Sequence, residues 1–204
     1  GYLIPSNMFA SVVLDYMAEF LEKDFQDPQM AKEAKELQAE IQEGIRKYGI
    51  VEDETFGKIY AYETDGLGNY NLMDDANVPS LLSMDYLGYE GKNPQVAENT
   101  RNLILSEANP FYYRGAKAEG IGSPHTPVEY IWHIALCMQG LTASTREEKK
   151  KMIDLAASTD GGKMLMHEGF CVKDDTQYTR EWFAWANAML SELVMDYCGY
   201  KIER

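Results

Sequence analysis

The hydrophobic positions near the beginning of the chain recur with a helical period. From Ser6 to about Phe25, apolar side chains return every three or four residues, as on one face of an amphipathic helix: Phe9, Val12, Val13, Tyr16, Met17, Phe20 and Leu21. Asp27 and Pro28 then supply an N-cap and a first-turn proline for a second helix, which ends at Gly49. We therefore predict an antiparallel helical hairpin in this part of the chain.

Downstream of the hairpin, the pattern predicts further helices and one short β element. The alternation of residues 54–63 favours a strand or hairpin. Thr126 and Glu129 have the spacing of a capping box, so we predict a helix that begins beside them and ends near Gln139. The remaining predicted helices cover about 79–87, 94–108, 149–157 and 179–194, and the last of these is expected to be thoroughly buried.

The fold class that these elements predict is all-α, with a small β-hairpin. About seven helices, mostly in antiparallel pairs, are joined by long loops at residues 65–77, 109–125 and 161–178. Alternating long and short connections are typical of a helical barrel, in which function is carried by the long loops at one end. An ordinary helical bundle is the alternative.

The composition indicates a folded protein with an uncharged partner. A chain of 204 residues that is 45% hydrophobic can bury a sizeable core, so we expect a single domain over residues 1–204. Lys and Arg number 19 against 33 Asp and Glu, which gives a formal charge of −14. This charge argues against binding to nucleic acid or to an anionic membrane, because both depend on a basic surface.

The chain has no apolar run of the length that a membrane span needs, and we expect a soluble protein. Gly1 is not an initiator methionine, and no basic leader precedes Tyr2. We therefore expect that the natural N-terminus is missing, which leaves a cytoplasmic and an exported location equally open.

Most of the unusual polar residues fall in the three long loops. Carboxylates, amides and imidazoles can each bond a sugar hydroxyl, while an aromatic face packs against the C–H side of a sugar ring. The candidate residues for contact with a polyol are Asp74, Asp75, Asn77, Ser123, His125, His167 and Trp185.

Glu168 differs from these residues because its neighbours include the apolar Met166 and Phe170. A carboxylate among apolar side chains costs free energy unless it is paired, hydrated or used in chemistry. Two interpretations follow: a structural carboxylate that caps a helix or bonds backbone amides, and a catalytic one.

Structural interpretations also compete for several of the other candidates. Asp74 and Asp75 precede Pro79, where acidic side chains would stabilise the N-terminus of a helix. His125 would satisfy a loop carbonyl, and His133 would be a histidine of the core.

No motif for a metal or a cofactor accompanies these residues. The chain has no HExxH, no close cysteine pair and no calcium-loop spacing. It also has no glycine motif for phosphates or dinucleotides and no GxSxG turn. We therefore expect neither a metal nor a cofactor.

Six segments, in matching order and spacing along almost the whole chain, resemble glycoside hydrolase family 125. They are YLIPSNMF (2–9), NLMDDANVPSLLS (71–83), NTRNLILS (99–106), GIGSPHTP (120–127), MHEGF (166–170) and WFAWAN (182–187). Any one of these strings would be weak, but six in register are specific.

The resemblance implies an (α/α)6 barrel that removes non-reducing α-1,6-linked mannose with inversion and without a metal, from mannose-containing oligosaccharides such as N-glycans. The glutamate of the family's His-Glu pair is the general base, and it corresponds to Glu168. The family's general acid is an aspartate shortly before the YLIPSN-like segment, which places it upstream of Gly1. By this resemblance the chain is the C-terminal half of a barrel domain and lacks the acid that inverting hydrolysis requires beside the base.

Two hypotheses follow from the sequence. In the first, the chain is a mannosidase in which Glu168 holds the attacking water. In the second, it is a catalytically inactive sugar-binding or helical interaction fragment, which self-associates or pairs with a missing N-terminal half.

Overall fold

The computed structural model describes residues 1–200 of the chain. In chain order, the elements are β1 (Tyr2–Leu3), α1 (Ile4–Lys23), α2 (Pro28–Tyr48), β2 (Ile50–Asp53), β3 (Gly57–Tyr60), β4 (Glu63–Thr64), β5 (Tyr70–Asn71), α3 (Pro94–Ile104), β6 (Tyr112–Arg114), β7 (Glu119–Ile121), β8 (Tyr130–Trp132), α4 (His133–Leu141), α5 (Arg146–Ser158), β9 (Gly169–Cys171), β10 (Asp174–Thr179) and α6 (Ala184–Tyr197).

The described chain divides into two compact units. The first comprises residues 1–73 and 79–103, and the second comprises residues 74–78 and the described chain from residue 104 onward. All the candidate site residues predicted from the sequence lie in the second unit.

The predicted helical hairpin is confirmed in the first unit, where α1 and α2 pack against each other. The Asp27 side chain caps α2 by accepting a hydrogen bond from the N–H of Met30 at 3.0 Å. The helix ends at Gly49, whose N–H donates to the carbonyl of Ile45 at 2.8 Å. The capping residues that the sequence indicated therefore set both ends of α2.

The apolar stripe of α1 is only partly covered. Met8 and Val12 are buried. Five large side chains of the same helix are 37–56% exposed: Phe9, Val13, Tyr16, Met17 and Phe20. A contiguous apolar stripe of this kind is typical of a surface that contacts another protein.

A β-hairpin follows α2, close to where the sequence predicted one. β2 and β3 pair antiparallel, with Val51 opposite Ile59. Asp53 shapes the turn, because its carboxylate accepts hydrogen bonds from the N–H groups of Thr55 and Phe56 at 2.8 and 2.9 Å. Gly57 closes the turn with a φ of +75°, a conformation that favours glycine.

The prediction of an all-α fold is wrong. Residues 1–200 contain four small antiparallel sheets: two of three strands, in the orders β1-β4-β5 and β10-β9-β8, and the two-stranded pairs β2-β3 and β6-β7. The segments 109–125 and 161–178, which the sequence predicted as loops, supply four of these strands. The strands β6 and β7 form one local hairpin and β9 and β10 form another, while β9 also pairs with the more distant β8. These strands are too short to show a clear alternation of apolar and polar residues.

Two predicted helices are also corrected. Residues 79–87 form successive turns, because the Ser83 hydroxyl bonds both the N–H and the carbonyl of Ser80 at 2.8 Å and competes with helical hydrogen bonding. The capping-box prediction at Thr126 fails because Glu129 has a φ of +67° and the next three residues form β8. The helix α4 therefore begins only at His133.

The core of the second unit lies around α4, which is buried along most of its length. Gly140 allows α6 to approach, since a Cβ there would lie 2.7 Å from the Leu193 side chain. α6 itself is less buried than predicted: Ala186, Met189 and Leu193 are buried, while Trp185, Val194 and Met195 are 39–47% exposed.

Among the described residues, no helix combines the length and the apolar character that a bilayer crossing requires.

Two buried tyrosines of the first unit yield a prediction about stability. Tyr60 and Tyr89 are 3% and 1% exposed. The Tyr60 hydroxyl accepts a hydrogen bond from the N–H of Asn93 at 2.9 Å, whereas the Tyr89 hydroxyl has no partner among residues 1–200. Burial raises the pKa of Tyr89 to about 12, so the group stays neutral. We expect Tyr60→Phe to lower the free energy of unfolding by about 1–2 kcal/mol, because it leaves a backbone N–H unpaired.

Tyr89→Phe, the matched variant, should leave the free energy of unfolding unchanged or raise it slightly, because it removes a hydroxyl that is already unpaired. Urea denaturation of both variants measures the difference. Equal destabilisation by the two substitutions would contradict the assignment of these hydroxyl groups.

Candidate active site

Three antiparallel strands fix the segment that carries Glu168. β9 lies between β8 and β10, and Glu168 immediately precedes it. The N–H of Glu168 donates to the carbonyl of Thr179 at 3.2 Å. The next N–H, that of Gly169, donates to the hydroxyl of Thr179 at 3.1 Å. The backbone at Glu168 is therefore held at the beginning of a central strand.

Gly169 allows two side chains to lie directly against this backbone. A Cβ at this position would be 3.0 Å from the indole of Trp132 and 3.3 Å from the methyl group of Thr126. The indole N–H of Trp132 also donates to the Thr126 hydroxyl at 3.0 Å. The segment that contains His125 is thus anchored beside Glu168, and the His125 side chain itself is exposed.

The acidic segment that contains Asp74 and Asp75 is joined to the same sheet by backbone pairing. The N–H of Ala76 donates to the carbonyl of Gly122 at 3.1 Å, and Gly122 forms an antiparallel bridge with Ile131 of β8. Because β8 pairs with β9, the residues that flank Gly122 and Ala76 are connected to the Glu168 segment through consecutive strand contacts.

The side chains of this acidic segment are largely buried. Asp74 is fully buried, and Asp75 is 6% exposed. Both carboxylate oxygens of Asp75 lie 3.2 Å from the amide nitrogen of Asn77, which donates to them. Ser123 is 2% exposed, and its hydroxyl accepts a hydrogen bond from the N–H of His125 at 3.2 Å. Asp75 and Asn77 therefore bond each other within one turn. The helix whose N-terminus Asp74 and Asp75 were expected to stabilise does not form at Pro79.

The Glu168 carboxylate is paired with a cation. Its side chain is 15% exposed, and Oε1 lies 3.4 Å from Nε of Arg180. Arg180 has a φ of +45°, and its guanidinium lies 5.5 Å from the centre of the Phe183 ring. The carboxylate that the sequence placed among apolar neighbours is therefore paired with one exposed arginine and keeps a small part of its surface accessible.

The ring of His167 is fully buried and faces two backbone carbonyls. Nδ1 lies 2.6 Å from the carbonyl oxygen of Glu181, and Nε2 lies 3.0 Å from that of Asp160. The ring is stacked on Tyr178, with centres 3.9 Å apart and planes inclined by 11°. Both nitrogens are thus engaged by the protein, and this placement does not support the expected contact between His167 and a sugar hydroxyl.

His133 supports the same segment from α4. Its ring is fully buried, and Nδ1 lies 3.1 Å from the backbone nitrogen and 3.2 Å from the carbonyl oxygen of His167. Nε2 lies 3.3 Å from the Thr159 hydroxyl, and that hydroxyl donates to the carbonyl of Leu155 at 2.8 Å. Burial lowers the pKa of His133 to about 4, so the ring is neutral. His133 is therefore a core histidine, as the sequence indicated.

The beginning of α6 is tied to the residue two positions before Glu168. The Asn187 amide accepts a hydrogen bond from the N–H of Met166 at 3.1 Å and donates to its carbonyl at 3.0 Å. The N–H of Phe183 donates to the same carbonyl at 3.1 Å. Phe183 also contacts Trp185, with ring centres 6.2 Å apart. Trp185, 40% exposed, thus presents an aromatic face from a helix that is hydrogen-bonded to the segment that carries Glu168.

Sequence reasoning missed the residues that fix the segment around Glu168. Asn187 ends the family-like string 182–187, and its amide could have been singled out there. Arg180 and Tyr178 gave no comparable signal, because their roles depend on strand register. Within residues 1–200, no group of three or more histidine, cysteine or acidic side chains is arranged to hold a metal ion.

Comparisons with known proteins bear on this arrangement. Residues 1–195 match the family model described as metal-independent alpha-mannosidase (GH125). The meiotically up-regulated gene 157 protein of Schizosaccharomyces pombe is 41% identical over 196 residues, which cover 96% of this chain.

A solved structure is also similar. It is a metal-independent alpha-mannosidase of Streptococcus pneumoniae in a non-productive complex with alpha-1,6-mannobiose. The two chains are 52% identical with a TM-score of 0.94, and the match covers 98% of this chain. The chain spans 38% of the length of the yeast protein and 47% of that of the streptococcal chain.

The buried His133 predicts a stability that depends on pH. The unfolded chain protonates this ring near pH 6.5, whereas the folded pKa is about 4. As the pH falls from 6.5 to 4, the unfolded state therefore binds a proton that the folded state does not, and stability is lost. One pKa unit corresponds to about 1.4 kcal/mol, so the loss due to His133 is roughly 3 kcal/mol.

Urea denaturation across this pH window, for the wild type and for His133→Asn, measures the contribution. Asparagine retains an acceptor near the position of Nδ1 but does not titrate, so the wild type should lose more stability than the variant as the pH falls. Parallel curves for the two proteins would show that His133 does not contribute.

Proposed function

The chain belongs to glycoside hydrolase family 125, the metal-independent α-mannosidases, and we propose that it hydrolyses non-reducing α-1,6-linked mannose with inversion of configuration, using Glu168 as the general base. The proposed substrate is a mannose-containing oligosaccharide. The substrate class follows the streptococcal protein, whose structure holds alpha-1,6-mannobiose.

The observation that carries the proposal is the environment of Glu168. Inverting hydrolysis needs a carboxylate that removes a proton from water while the water attacks the anomeric carbon. The Glu168 side chain lies beside Arg180 and is 15% exposed, and its backbone N–H is bonded to the carbonyl of Thr179. A carboxylate in this position can hold one water without being surrounded by bulk solvent.

Inversion also needs a carboxylic acid that protonates the leaving oxygen, roughly 6.5–9.5 Å from the base. We assign no residue of this chain to that role. In the proposal Asp74 and Asp75 contact sugar hydroxyls instead. They lie with Asn77 in a segment that is joined through Gly122 to β8, the strand that pairs with β9.

The proposed sugar contacts come from two sides of the base segment. Asp74, Asp75, Asn77, Ser123 and His125 supply carboxylate, amide, hydroxyl and imidazole groups for sugar hydroxyls. Trp185 supplies an aromatic face for the C–H side of a ring. His167 has no sugar contact in this proposal, because backbone carbonyls lie against both of its ring nitrogens.

Proton NMR of α-1,6-mannobiose incubated with the chain tests the activity and its stereochemistry together. We expect β-mannose to appear first, before mutarotation. Release of α-mannose would contradict inversion. If no mannose is released, heat of binding in calorimetry would favour the sugar-binding alternative, and the absence of both turnover and heat would contradict both functions for this chain.

Glu168→Gln tests the general base. The amide cannot accept the proton, so we expect kcat to fall by about 10²- to 10⁴-fold with a smaller change in KM. Glu147→Gln is the matched control, because Glu147 is an exposed glutamate of α5 in the same unit. Near-normal turnover by Glu168→Gln would contradict the assignment of Glu168 as base.

A second candidate function is that of a helical interaction module, and the exposed stripe of α1 favours it. We expect the molar mass from light scattering to rise with protein concentration through self-association. Lysine substitutions at Met17 and Phe20, which are 46% and 56% exposed, should suppress the rise. Leu67→Lys is the control, because Leu67 is a loop residue of 88% exposure. A monomer at all concentrations would count against this function.

A further inference from the structure

Both ring nitrogens of His167 face hydrogen-bond acceptors, and neither faces a donor. Carbonyl oxygens lie 2.6 Å from Nδ1 and 3.0 Å from Nε2, and the side chain is fully buried. A neutral imidazole carries one N–H and one lone pair. It would satisfy one of these carbonyls and direct its lone pair at the other, within a site from which the ring has no access to solvent.

The imidazolium form satisfies both contacts, because both of its nitrogens are donors. Its positive charge has favourable neighbours. The face of Tyr178 is stacked on the ring at 3.9 Å, an arrangement that attracts a cation. The Tyr178 hydroxyl donates to the Glu181 carboxylate at 3.0 Å. That hydrogen bond and then the Lys163 ammonium lower the pKa of Glu181, which keeps this carboxylate negative.

The other ionisable groups around the ring are compatible with this charge. The His133 ring, whose centre is 5.6 Å away, is neutral because burial lowers its pKa. The Asp160 carboxylate accepts hydrogen bonds from the N–H groups of Gly162 and Met164, at 2.9 and 2.8 Å. A second cation, Lys163, lies 3.4 Å from the Glu181 carboxylate and is paired with it.

We infer that His167 is a positioning residue that donates hydrogen bonds from both ring nitrogens and thereby ties the Glu168 segment to the carbonyls of Asp160 and Glu181. These carbonyls belong to the chain before β9 and to the chain after β10. The backbone N–H of His167 is bonded to His133, and the N–H of Glu168 is bonded to Thr179. The His167 ring therefore links the Glu168 segment to the chain on both sides of the β9–β10 hairpin, while strand pairing fixes the backbone of the segment itself.

The consequence for the base rests on the proposed function, but the protonation of the ring does not. If the chain fails to hydrolyse mannobiose, the hydrogen bonds of His167 are unaffected. If His167 proves to carry one proton, the role of Glu168 as base still stands.

Imidazole NMR of the ¹⁵N-labelled chain tests the inference, because the chemical shift of each ring nitrogen reports whether it carries a proton, and the chain has three histidines to compare. At neutral pH we expect His167 to show protonated shifts at both nitrogens and two N–H protons that exchange slowly. His133, whose ring is neutral, should show a single proton. A ring of His167 with one unprotonated nitrogen would overturn the inference.

Two conservative variants test the positioning role. Glutamine at 167 can replace the Nε2 donor and asparagine the Nδ1 donor, so each retains one of the two tethers. We expect His167→Gln and His167→Asn to speed amide hydrogen exchange at Glu168 and Gly169 by about tenfold or more, whereas His125→Gln should not change it. Unchanged exchange in both folded His167 variants would show that the ring does not position the base. If neither variant folds, the NMR states of the wild type still decide the protonation.

Discussion

The pairing of β9 between β8 and β10 is the constraint on which the candidate site depends. Glu168 stands at the entrance to this central strand, and Gly169 has no side chain to keep the indole of Trp132 away. The acidic segment reaches the same sheet through Gly122 and Ile131. Short paired strands thus bring the candidate site residues together, whereas the sequence led us to expect that helices and loops would do so.

The sequence predicted what depends on local patterns. The cap at Asp27 and the end of α2 at Gly49 follow from residues adjacent to them, so they could be read directly. The absence of the helix expected from Thr126 could not be predicted in this way. Residues 130–132 pair with a strand some forty positions away, and such tertiary contacts override local helix propensity. The serines near residue 80 similarly favour turns through their own hydroxyl groups.

For the site, the sequence indicated the residues but not their partners. Glu168 was recognisable as a carboxylate that needed compensation, yet nothing in the pattern pointed to Arg180. The register of β10 shifts between Asp174 and Tyr178, so that Thr179 stands opposite Gly169 and the following arginine reaches the carboxylate. An irregularity of this kind changes which side chains meet without leaving a periodic signal. The partners of His167 gave no signal either, since they are backbone carbonyls of other segments.

The amide of Asn187 has a consequence for how this part of the molecule could change in evolution. Because it bonds both polar groups of the Met166 backbone, a displacement of α6 would carry the Glu168 segment with it. Trp185 lies on the first turn of that helix, so repacking between α6 and α4 would move Trp185 and Glu168 together. Individual side chains at the beginning of α6 could then be replaced while the spacing between this helix and the Glu168 segment stays constant.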